Sequence, residues 1–439
     1  MEKKIHDRSR LYLFLRGCVD FMFKASYRKV EYCGKEHIPQ EGVVIYAPNH
    51  TNTLMDALAV LAIDKKAKVF VARADIFQNP IVLKFLTFLK MLPIHRKRDG
   101  VENLAKNEDI NDVVVEALRH GLPFCILPEG THRAMYSLMP LQKGIFRIAL
   151  QANDALGAHT PVYIVPVGIT FGHFFRYRSS LLVRIGAPVH ITQFVQEHPQ
   201  LSVPHQINAL RQILTERLKG LILHIADDER YHATLSLVQL FGKEQLQSVK
   251  TDENRLIHRL AAAQEVVRQI ESLIETNPQE MGQNLSMANE FYRRRQALGI
   301  GIESALKPNI RLWLLLNFIL LLLGLPYALF SLVATAPVTL PSVWLCSKFE
   351  DGAFHNTVRY LISLVLLPLL LLLGGVTLFV ALSWVWGVAF LLFFPPSFFF
   401  LHEYLRLWRR TISDIKWLIH RDLYTQSVNI KSMTAPLIT

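Results

Sequence analysis

The sequence predicts an α/β domain with a mostly parallel sheet flanked by helices, followed by a helical extension and a C-terminal helical membrane region. Three observations lead to this fold class. Short β-rich runs alternate with helical patterns over residues 41–188. Residues 203–305 are amphipathic and charged, with few glycines or strand signals. Two stretches, 312–347 and 360–401, contain no Asp, Glu, Lys or Arg, and each is far longer than the roughly 18 apolar residues that indicate a membrane span.

The sheet is predicted from runs rich in β-branched and other apolar residues, at 43–47, 69–72, 124–127, 162–167 and 181–185. Apolar residues at helical spacing predict helices at 101–120 and 145–156. Strands that alternate with helices favour a parallel sheet, because parallel neighbours need a crossover connection.

The remaining parts of the chain differ in composition from this domain. Residues 1–31 interleave basic and apolar side chains, which suits an amphipathic helix on a membrane surface. An ordinary first helix packed on the domain fits the pattern equally well. We expect the α/β domain at 32–202, the helical extension at 203–305, the hydrophobic transmembrane region at 306–405 and a basic cytoplasmic tail at 406–439.

The charge-free stretches predict an even number of membrane crossings. A single pass needs about 20 helical residues, so each stretch is nearer to two short passes than to one. The residues Pro326, Pro337, Pro341 and the pair Gly374 and Gly375 offer places to turn. Basic residues flank the region on both sides, and such flanks stay together on the cytoplasmic side. Half-inserted helices that never cross are the alternative.

Charge and cysteine content narrow the possible partners. The net charge of +12 favours anionic partners such as nucleic acid, acidic lipid headgroups, phosphorylated metabolites or an acidic carrier protein. The apolar stretches favour a lipid bilayer over nucleic acid, and no nucleic acid is expected. The 4 cysteines show no C-x-x-C spacing, which argues against a zinc site and against a disulfide framework. We expect reduced thiols and no metal.

A histidine and an aspartate follow the first predicted strand. His50 and Asp56 would lie on different faces of a regular helix. They can meet only if His50 is in a loop and Asp56 is in the first turn of the next helix. Asp56 would then hold one imidazole nitrogen and leave the other free to take a proton, as in a general base. Helix capping or a structural core role is the alternative.

Two further motifs carry groups that suit a phosphorylated ligand. Residues 127–133, Leu-Pro-Glu-Gly-Thr-His-Arg, follow a predicted strand at the edge where open α/β sheets bind ligands. Within this motif Gly130 allows close backbone approach, and Arg133 could bind an anion. Residues 93–98 form a basic cluster that includes Arg96, and arginine suits bidentate phosphate contacts. A solvated or headgroup-facing charge run is the alternative.

The order of these motifs resembles the glycerolipid acyltransferase family, whose blocks are H-x4-D, an arginine-bearing block, P-E-G-T-R and V-P-[IV]. The resemblance covers about 32–191, and its last block matches Val165-Pro166-Val167-Gly168. Two departures stand out: five residues separate His50 from Asp56, and His132 interrupts the third block. The longer spacing, residues 72–77 and the apolar C-terminal region are similar to the branch that acylates glycerol-3-phosphate or dihydroxyacetone phosphate.

This resemblance implies roles for individual residues. His50 would deprotonate a substrate hydroxyl and Asp56 would orient it. The residues expected to hold the phosphorylated acceptor are Arg96, Glu129, Gly130 and Arg133. The acyl thioester, acyl-CoA or acyl-carrier protein, is a co-substrate, and no cofactor is expected. A thiol leaving group with a pKa of about 8.5 departs as thiolate with little acid assistance.

The implied function is a membrane-bound O-acyltransferase of phospholipid biosynthesis that acylates glycerol-3-phosphate. A 1-acylglycerol-3-phosphate or other lysophospholipid acyltransferase is the alternative. The catalytic domain is expected on the cytoplasmic side of a membrane, the inner membrane if the source is bacterial. A transporter is disfavoured because the apolar stretches hold almost no ionisable residues. A non-catalytic lipid-binding scaffold is disfavoured by the His50 and Asp56 pair.

Overall fold

The computed structural model describes residues 5, 9–95, 106–248 and 252–438. The chain forms two compact units: Met1–Ile222 with Asp351–Tyr360, and Leu223–Glu350 with Leu361–Thr439. The segment Asp351–Tyr360 lies in the sequence between the two charge-free stretches, yet it is part of the first unit.

The first unit is built, within the described residues, on an eight-stranded sheet. Its strands are β1 (Tyr27–Cys33), β2 (Val43–Pro48), β3 (Val69–Arg73), β4 (Met91–Ile94), β5 (Phe124–Cys125), β6 (Val162–Phe171), β7 (Ser179–Ile185) and β8 (Val189–His190). The order across the sheet is β1-β7-β6-β2-β5-β3-β4, with β8 beside β6. The pairs of β6 with β7 and with β8 are antiparallel and the others are parallel. The predicted mostly parallel α/β fold is therefore confirmed.

The register of the central strands brings their carboxyl ends to one edge. Ile45 of β2 lies opposite Phe124 of β5 and Ile164 of β6. Every residue of β2 is buried, as expected for a parallel strand covered on both faces. The loops that follow β2, β5 and β6 therefore emerge side by side.

Seven α-helices surround this sheet in the described part of the first unit. They are α1 (Arg10–Ala25), α2 (Thr53–Leu61), α3 (Pro80–Phe88), α4 (Lys106–Arg119), α5 (Gly144–Leu156), α6 (Ile191–Glu197) and α7 (Val203–Leu221), with short 3-10 turns at Lys35–His37 and Ala74–Phe77. The apolar faces of α4, α5 and α7 bury Leu118, Phe146 and Leu214 in one core with the sheet. Helix α4 begins at Lys106, and residues 101–105 of the predicted helix lie outside the described residues.

Helix α1 has features of both interpretations of the N-terminal sequence, the packed first helix and the membrane-surface helix. It buries Tyr12 and Phe23, so one side packs on the unit as an ordinary first helix does. Phe14 and Phe21 are exposed on the same helix. An exposed row of large apolar side chains next to basic residues is typical of a helix that lies on a membrane surface.

In the second unit, all regular secondary structure of the described residues is helical. Its helices are α8 (Tyr231–Ser248), α9 (Leu256–Thr276), α10 (Pro278–Ala297), α11 (Ile302–Ala305), α12 (Ile310–Cys346), most of α13 (Gly352–Ala381), α14 (Trp384–Ile419) and α15 (Arg421–Ile438). Helix α8 packs on α9 and α10, and α12 packs on α14. The fully buried Asp414 of α14 accepts hydrogen bonds from Ser304 and Lys307.

Among the described residues, three helices are long and apolar enough to cross a membrane: α12, α13 and α14. The predicted turns inside the charge-free stretches are wrong. Pro326, Pro337 and Pro341 lie inside α12, and the break after α13 comes at 382–383 rather than at Gly374 and Gly375. A turn at these places would expose unpaired backbone groups to an apolar environment.

The two glycines of α13 serve packing. A Cβ on Gly374 would lie 2.7 Å from the ring of Phe390 on α14. A Cβ on Gly375 would lie 3.4 Å from the side chain of Leu391. Small residues let apolar helices approach closely, so a glycine pair that resembles a turn in the sequence is a helix contact in the structure.

Candidate active site

The loop that follows β2 is fixed to β6 by Asn49. The Asn49 side chain donates from Nδ2 to the Ile169 carbonyl at 3.1 Å, and its Oδ1 accepts from the Ile169 N–H at 2.6 Å. The backbone N–H of Asn49 donates to the Val167 carbonyl. An amide side chain can pair with a backbone N–H and C=O in this way because it carries both a donor and an acceptor. The residue after it, His50, therefore has a fixed starting position.

His50 and Asp56 form a hydrogen-bonded pair. His50 lies in the loop and Asp56 in the first turn of α2, and His50 Nδ1 is 2.8 Å from Asp56 Oδ2. The same oxygen accepts from the backbone N–H groups of Thr51 and Asn52 at 2.8 and 2.7 Å. Asp56 is fully buried. The structure thus has the geometry that the six-residue spacing requires, with His50 in a loop and Asp56 in the first turn of the next helix.

Glu129 binds the backbone of the loop that holds His50. Its Oε1 accepts from the backbone N–H of His50 at 2.6 Å, and its Oε2 accepts from the N–H of Met139 at 2.9 Å. The residue is 3% exposed. Burial raises the pKa of the Glu129 carboxyl from 4.5 to about 7, although the two N–H groups act in the opposite direction. Both carboxyl oxygens face the backbone, so this side chain positions the loop.

The turn after β5 contains Gly130 and Arg133, and Arg133 contacts the loop that holds His50. Gly130 has a φ of +71°, which favours glycine, and its N–H donates to the Leu127 carbonyl. The backbone N–H of Arg133 donates to the His50 carbonyl at 3.2 Å. The Arg133 guanidinium donates to Ser137 Oγ at 3.0 Å. Arg96, the remaining predicted acceptor-binding residue, lies outside the described residues.

Two residues of the site were not predicted from the sequence. The ring of His132 lies 5.5 Å from the ring of His50, centroid to centroid and edge to face. His132 Nε2 is 2.7 Å from Oδ2 of Asp351. The sequence signal for His132 is an imidazole inserted into a ligand-binding motif. Asp351 follows 219 positions later in the chain, and no local pattern marks it.

The arrangement can perform general base chemistry on a hydroxyl. In the described part of the chain no hydrogen bond occupies His50 Nε2, since Asp56 holds the other ring nitrogen. That nitrogen can therefore accept a proton while Asp56 fixes the tautomer. No group of three or more His, Cys, Asp or Glu side chains suited to a metal ion occurs among the described residues.

The profile of the family described as Acyltransferase matches residues 29–170. These residues are an acyltransferase-family domain. The matched part of the acyltransferase domain contains His50, Asp56 and residues 128–133, and it extends through most of β6.

Curated relatives of this acyltransferase domain are named 1-acyl-sn-glycerol-3-phosphate acyltransferase. The protein of Cocos nucifera is 27% identical over 178 residues, 40% of this chain and 53% of the relative. That of Limnanthes alba is 28% identical over 163 residues, 37% of this chain and 52% of the relative. The chain thus spans about half the length of the curated relatives it matches.

A solved structure is also similar, the 1-acyl-sn-glycerophosphate (LPA) acyltransferase PlsC from Thermotoga maritima. It is 18% identical, with a TM-score of 0.35, and the match covers 48% of this chain and 80% of that one.

Proposed function

We propose that the protein transfers a fatty acyl group from a thioester, acyl-CoA or acyl-carrier protein, to a hydroxyl of glycerol-3-phosphate. The observation that carries the proposal is the His50 and Asp56 pair, with 2.8 Å between Nδ1 and Oδ2, inside an acyltransferase-family domain. The product would be a phosphorylated acylglycerol, a precursor of phospholipids.

The proposed reaction needs one base and one good leaving group. His50 Nε2 takes the proton of the acceptor hydroxyl while the oxygen attacks the thioester carbonyl. Asp56 stabilises the imidazolium that forms, because its carboxylate holds Nδ1. The C–S bond then breaks, and the sulfur leaves as thiolate, since its pKa is about 8.5. The imidazolium returns its proton to the thiolate, which restores neutral His50 for the next turnover.

A second acceptor, lysophosphatidate, is favoured by the names of the curated relatives. Glycerol-3-phosphate is favoured by the five residues between His50 and Asp56 and by the apolar C-terminal helices. Both acceptors carry a phosphate and a free hydroxyl on a glycerol, so both suit the same base.

The proposal includes a membrane location with the acyltransferase domain on the cytoplasmic side. The long apolar helices α12, α13 and α14 support membrane association. Acyl thioesters are made in the cytosol, so the site must face it. The net charge of +12 suits an acidic carrier protein as well as acidic headgroups.

The proposal is tested with purified full-length protein, a labelled acyl donor, and the two acceptors offered in parallel. We expect His50→Ala to lower kcat by about 10² to 10⁴, because a general base is lost. Asp56→Asn should lower it in the same direction, since an amide does not stabilise an imidazolium. The control is His159→Ala, which changes an exposed histidine away from the site.

Two results would contradict the proposal. One is turnover close to that of the unaltered protein in the His50 variant with an intact circular dichroism spectrum. The other is no acyl transfer by the unaltered protein to either acceptor from either type of thioester, which would favour a lipid-binding scaffold.

A further inference from the structure

His132 lies beside the proposed base, His50, and binds Asp351, a residue outside the acyltransferase motifs. Its side chain is 20% exposed, and its Nε2 is bound to Asp351 at 2.7 Å. Its ring also packs edge to face against Phe354, with 5.6 Å between centroids. No other hydrogen bond of this ring occurs among the described residues, so Nδ1 is the ring atom left for a ligand.

The segment Asp351–Tyr360 is held on the first unit by a series of polar contacts. Thr53 Oγ1 bonds to Thr357 Oγ1 at 2.7 Å and to the Ala353 carbonyl at 3.1 Å. Asn356 Nδ2 donates to the Phe174 carbonyl. The Tyr360 hydroxyl donates to the Val19 carbonyl of α1 at 3.0 Å. Such a set of directed bonds fixes the segment in one position, and Asp351 with it.

One of these contacts reaches Thr53, the residue at which the loop that holds His50 ends and α2 begins. Thr53, three residues after His50, has a φ of +41°. A β-branched residue in the left-handed region is strained, and such strain persists where surrounding contacts enforce it. The bonds from Thr53 to Ala353 and Thr357 are contacts of this kind. The segment therefore belongs to the site and does not merely pass over it.

Asp351 has two separate tasks, one for each carboxylate oxygen. Oδ1 accepts from the Ala353 N–H at 2.9 Å, as the N-cap of α13. Oδ2 binds His132. Burial acts to raise the pKa of Asp351, but the hydrogen bonds from Ala353 and His132 outweigh it and lower the pKa below its ordinary value. The carboxylate is thus a suitable partner for an imidazole that donates from Nε2.

We propose that His132 binds the phosphorylated head of the acceptor through Nδ1, and that Asp351 is the positioning residue that orients its ring. This inference rests on the proposed function, since it assigns a contact to the same acceptor. The phosphorus of either acceptor is four or five bonds from the reacting hydroxyl oxygen, so the phosphate must lie several ångströms from His50. The His132 ring, 5.5 Å from that of His50, lies at such a distance.

The charges around the loop explain why an imidazole is needed there. Asp56 and Glu129 are buried carboxyl groups under the same loop, and they would repel a phosphate. Between Asp351 and a phosphate, the His132 ring can donate to both partners only as an imidazolium, with a proton on Nε2 and one on Nδ1, and charged donors of this kind suit phosphate oxygens.

The test uses full-length protein in detergent and two variants that preserve local structure. Asp351→Asn keeps the N-cap, because asparagine caps helices as well as aspartate does, but removes the charge opposite His132. His132→Gln removes the imidazole. Binding of glycerol-3-phosphate and of lysophosphatidate is measured by calorimetry, and KM is measured separately for acceptor and donor. Glu350→Gln, an exposed neighbour of equal charge, is the control.

We expect His132→Gln to raise the Kd and the KM of the acceptor by about ten- to a hundredfold, because a hydrogen bond to a charged group is lost. The donor KM should stay the same. Asp351→Asn should act in the same direction and add less than about twofold in the His132→Gln background, because Asp351 acts through His132. Glu350→Gln should bind as the unaltered protein does.

Unchanged acceptor binding in both folded variants, a change in the donor KM alone, or fully additive effects would overturn the proposal. The two hypotheses fail separately. Without turnover in the unaltered protein, weakened glycerol-3-phosphate binding in His132→Gln still supports this contact. With turnover that depends on His50, unchanged binding overturns the contact and leaves the acyl transfer intact.

Discussion

At the scale of single residues, the site depends on two buried carboxyl groups that bind backbone rather than cations. Asp56 accepts from two backbone N–H groups as well as from His50, and Glu129 accepts from the N–H groups of His50 and Met139. Among the described residues neither has a Lys or Arg partner. Burying a carboxyl without a countercharge is costly, and the raised pKa of Glu129 reflects this cost.

The raised pKa of Glu129 predicts a pH-dependent stability. Its value of about 7 in the folded chain exceeds the ordinary 4.5. The folded state therefore holds the proton more tightly, and this stabilisation is present below pH 4.5 and is lost as the pH rises through 7. A shift of this size corresponds to on the order of 3 kcal/mol. We expect the Tm of the unaltered protein to fall between pH 5 and 8 relative to that of Glu129→Gln, which cannot ionise.

The Glu129→Gln variant should have a lower Tm at acidic pH, because an amide has one acceptor for two N–H groups. The informative quantity is therefore how the Tm difference between the unaltered protein and Glu129→Gln changes with pH. Glu216→Gln, an exposed change of the same type, should show no such trend. A Tm difference that is constant over this pH range would contradict the assignment.

The sequence alone was sufficient to find the residues whose partners are close in the chain. His50 and Asp56 are related by one loop and one helical turn, and Gly130 is required where the backbone has a positive φ. The contact between His132 and Asp351 joins positions 219 apart. Nothing in the local sequence indicates which of the polar residues around 350 would reach the site.

At the scale of elements, β6 positions the catalytic loop through a close contact with α7. A Cβ on Gly168 of β6 would lie 2.6 Å from Cβ of Leu221 and 2.7 Å from its carbonyl oxygen. The next residue, Ile169, holds Asn49 through both of its backbone groups. The glycine of the Val-Pro-Val-Gly motif thus lets a helix end pack directly behind the strand that fixes the His50 loop.

Gly168→Ala should therefore destabilise the first unit and lower activity together. Overpacking against backbone atoms costs about 1–3 kcal/mol, and each kcal/mol corresponds to about 2–4 °C in Tm for a unit of this size. The measurements are Tm and kcat of the purified variant. Gly220→Ala is the matched control, since a Cβ there meets no atom within 4 Å. An unchanged Tm for Gly168→Ala would show that α7 can move away freely.

Buried central strands are easier to predict from the sequence than edge strands. The central strands β2, β3 and β6 are apolar and were found from composition. Composition does not predict the edge strands β1 and β4, because β1 is polar and β4 contains Pro93, which an edge tolerates. The two-residue β8 was also missed. The sequence misplaces the helix ends in the apolar region, because its prolines lie inside α12 and its glycine pair contacts α14.

At the scale of the whole molecule, charge and helix count together constrain the membrane topology. Lys307 precedes α12 and Arg311 lies in its first turn, Lys348 and Arg359 follow α12, and the C-terminal part of α14 carries Arg406, Arg409, Arg410 and Lys416. The link between α13 and α14, at 382–383, has no charge. If all three of the apolar helices in the described residues crossed once, the basic flanks would lie on opposite sides, against the positive-inside rule.

The charge pattern is satisfied if α13 and α14 cross as a hairpin while the two ends of α12 stay on one side. The structure supports one step of this interpretation, since Asp351–Tyr360 belongs to the same compact unit as the acyltransferase domain. The even number of crossings stays a prediction. It requires that the end of α12, the acyltransferase domain and the tail share a side, and that residues 382–383 face the other.

Single cysteines at exposed positions can test this topology in a chain whose 4 native cysteines have been replaced. We expect Gln200→Cys in the first unit, Glu350→Cys after α12 and Asn429→Cys in the tail to be protected from an impermeant thiol reagent in intact cells. All three should react after permeabilisation. Leu382→Cys should react in intact cells, because it lies in the uncharged turn of the proposed hairpin. Labelling of Asn429→Cys without permeabilisation would make the number of crossings odd. Labelling of Glu350→Cys but not of Gln200→Cys would contradict the proposed topology, because Glu350 precedes Asp351, which belongs to the same compact unit as Gln200 and contacts His132 there.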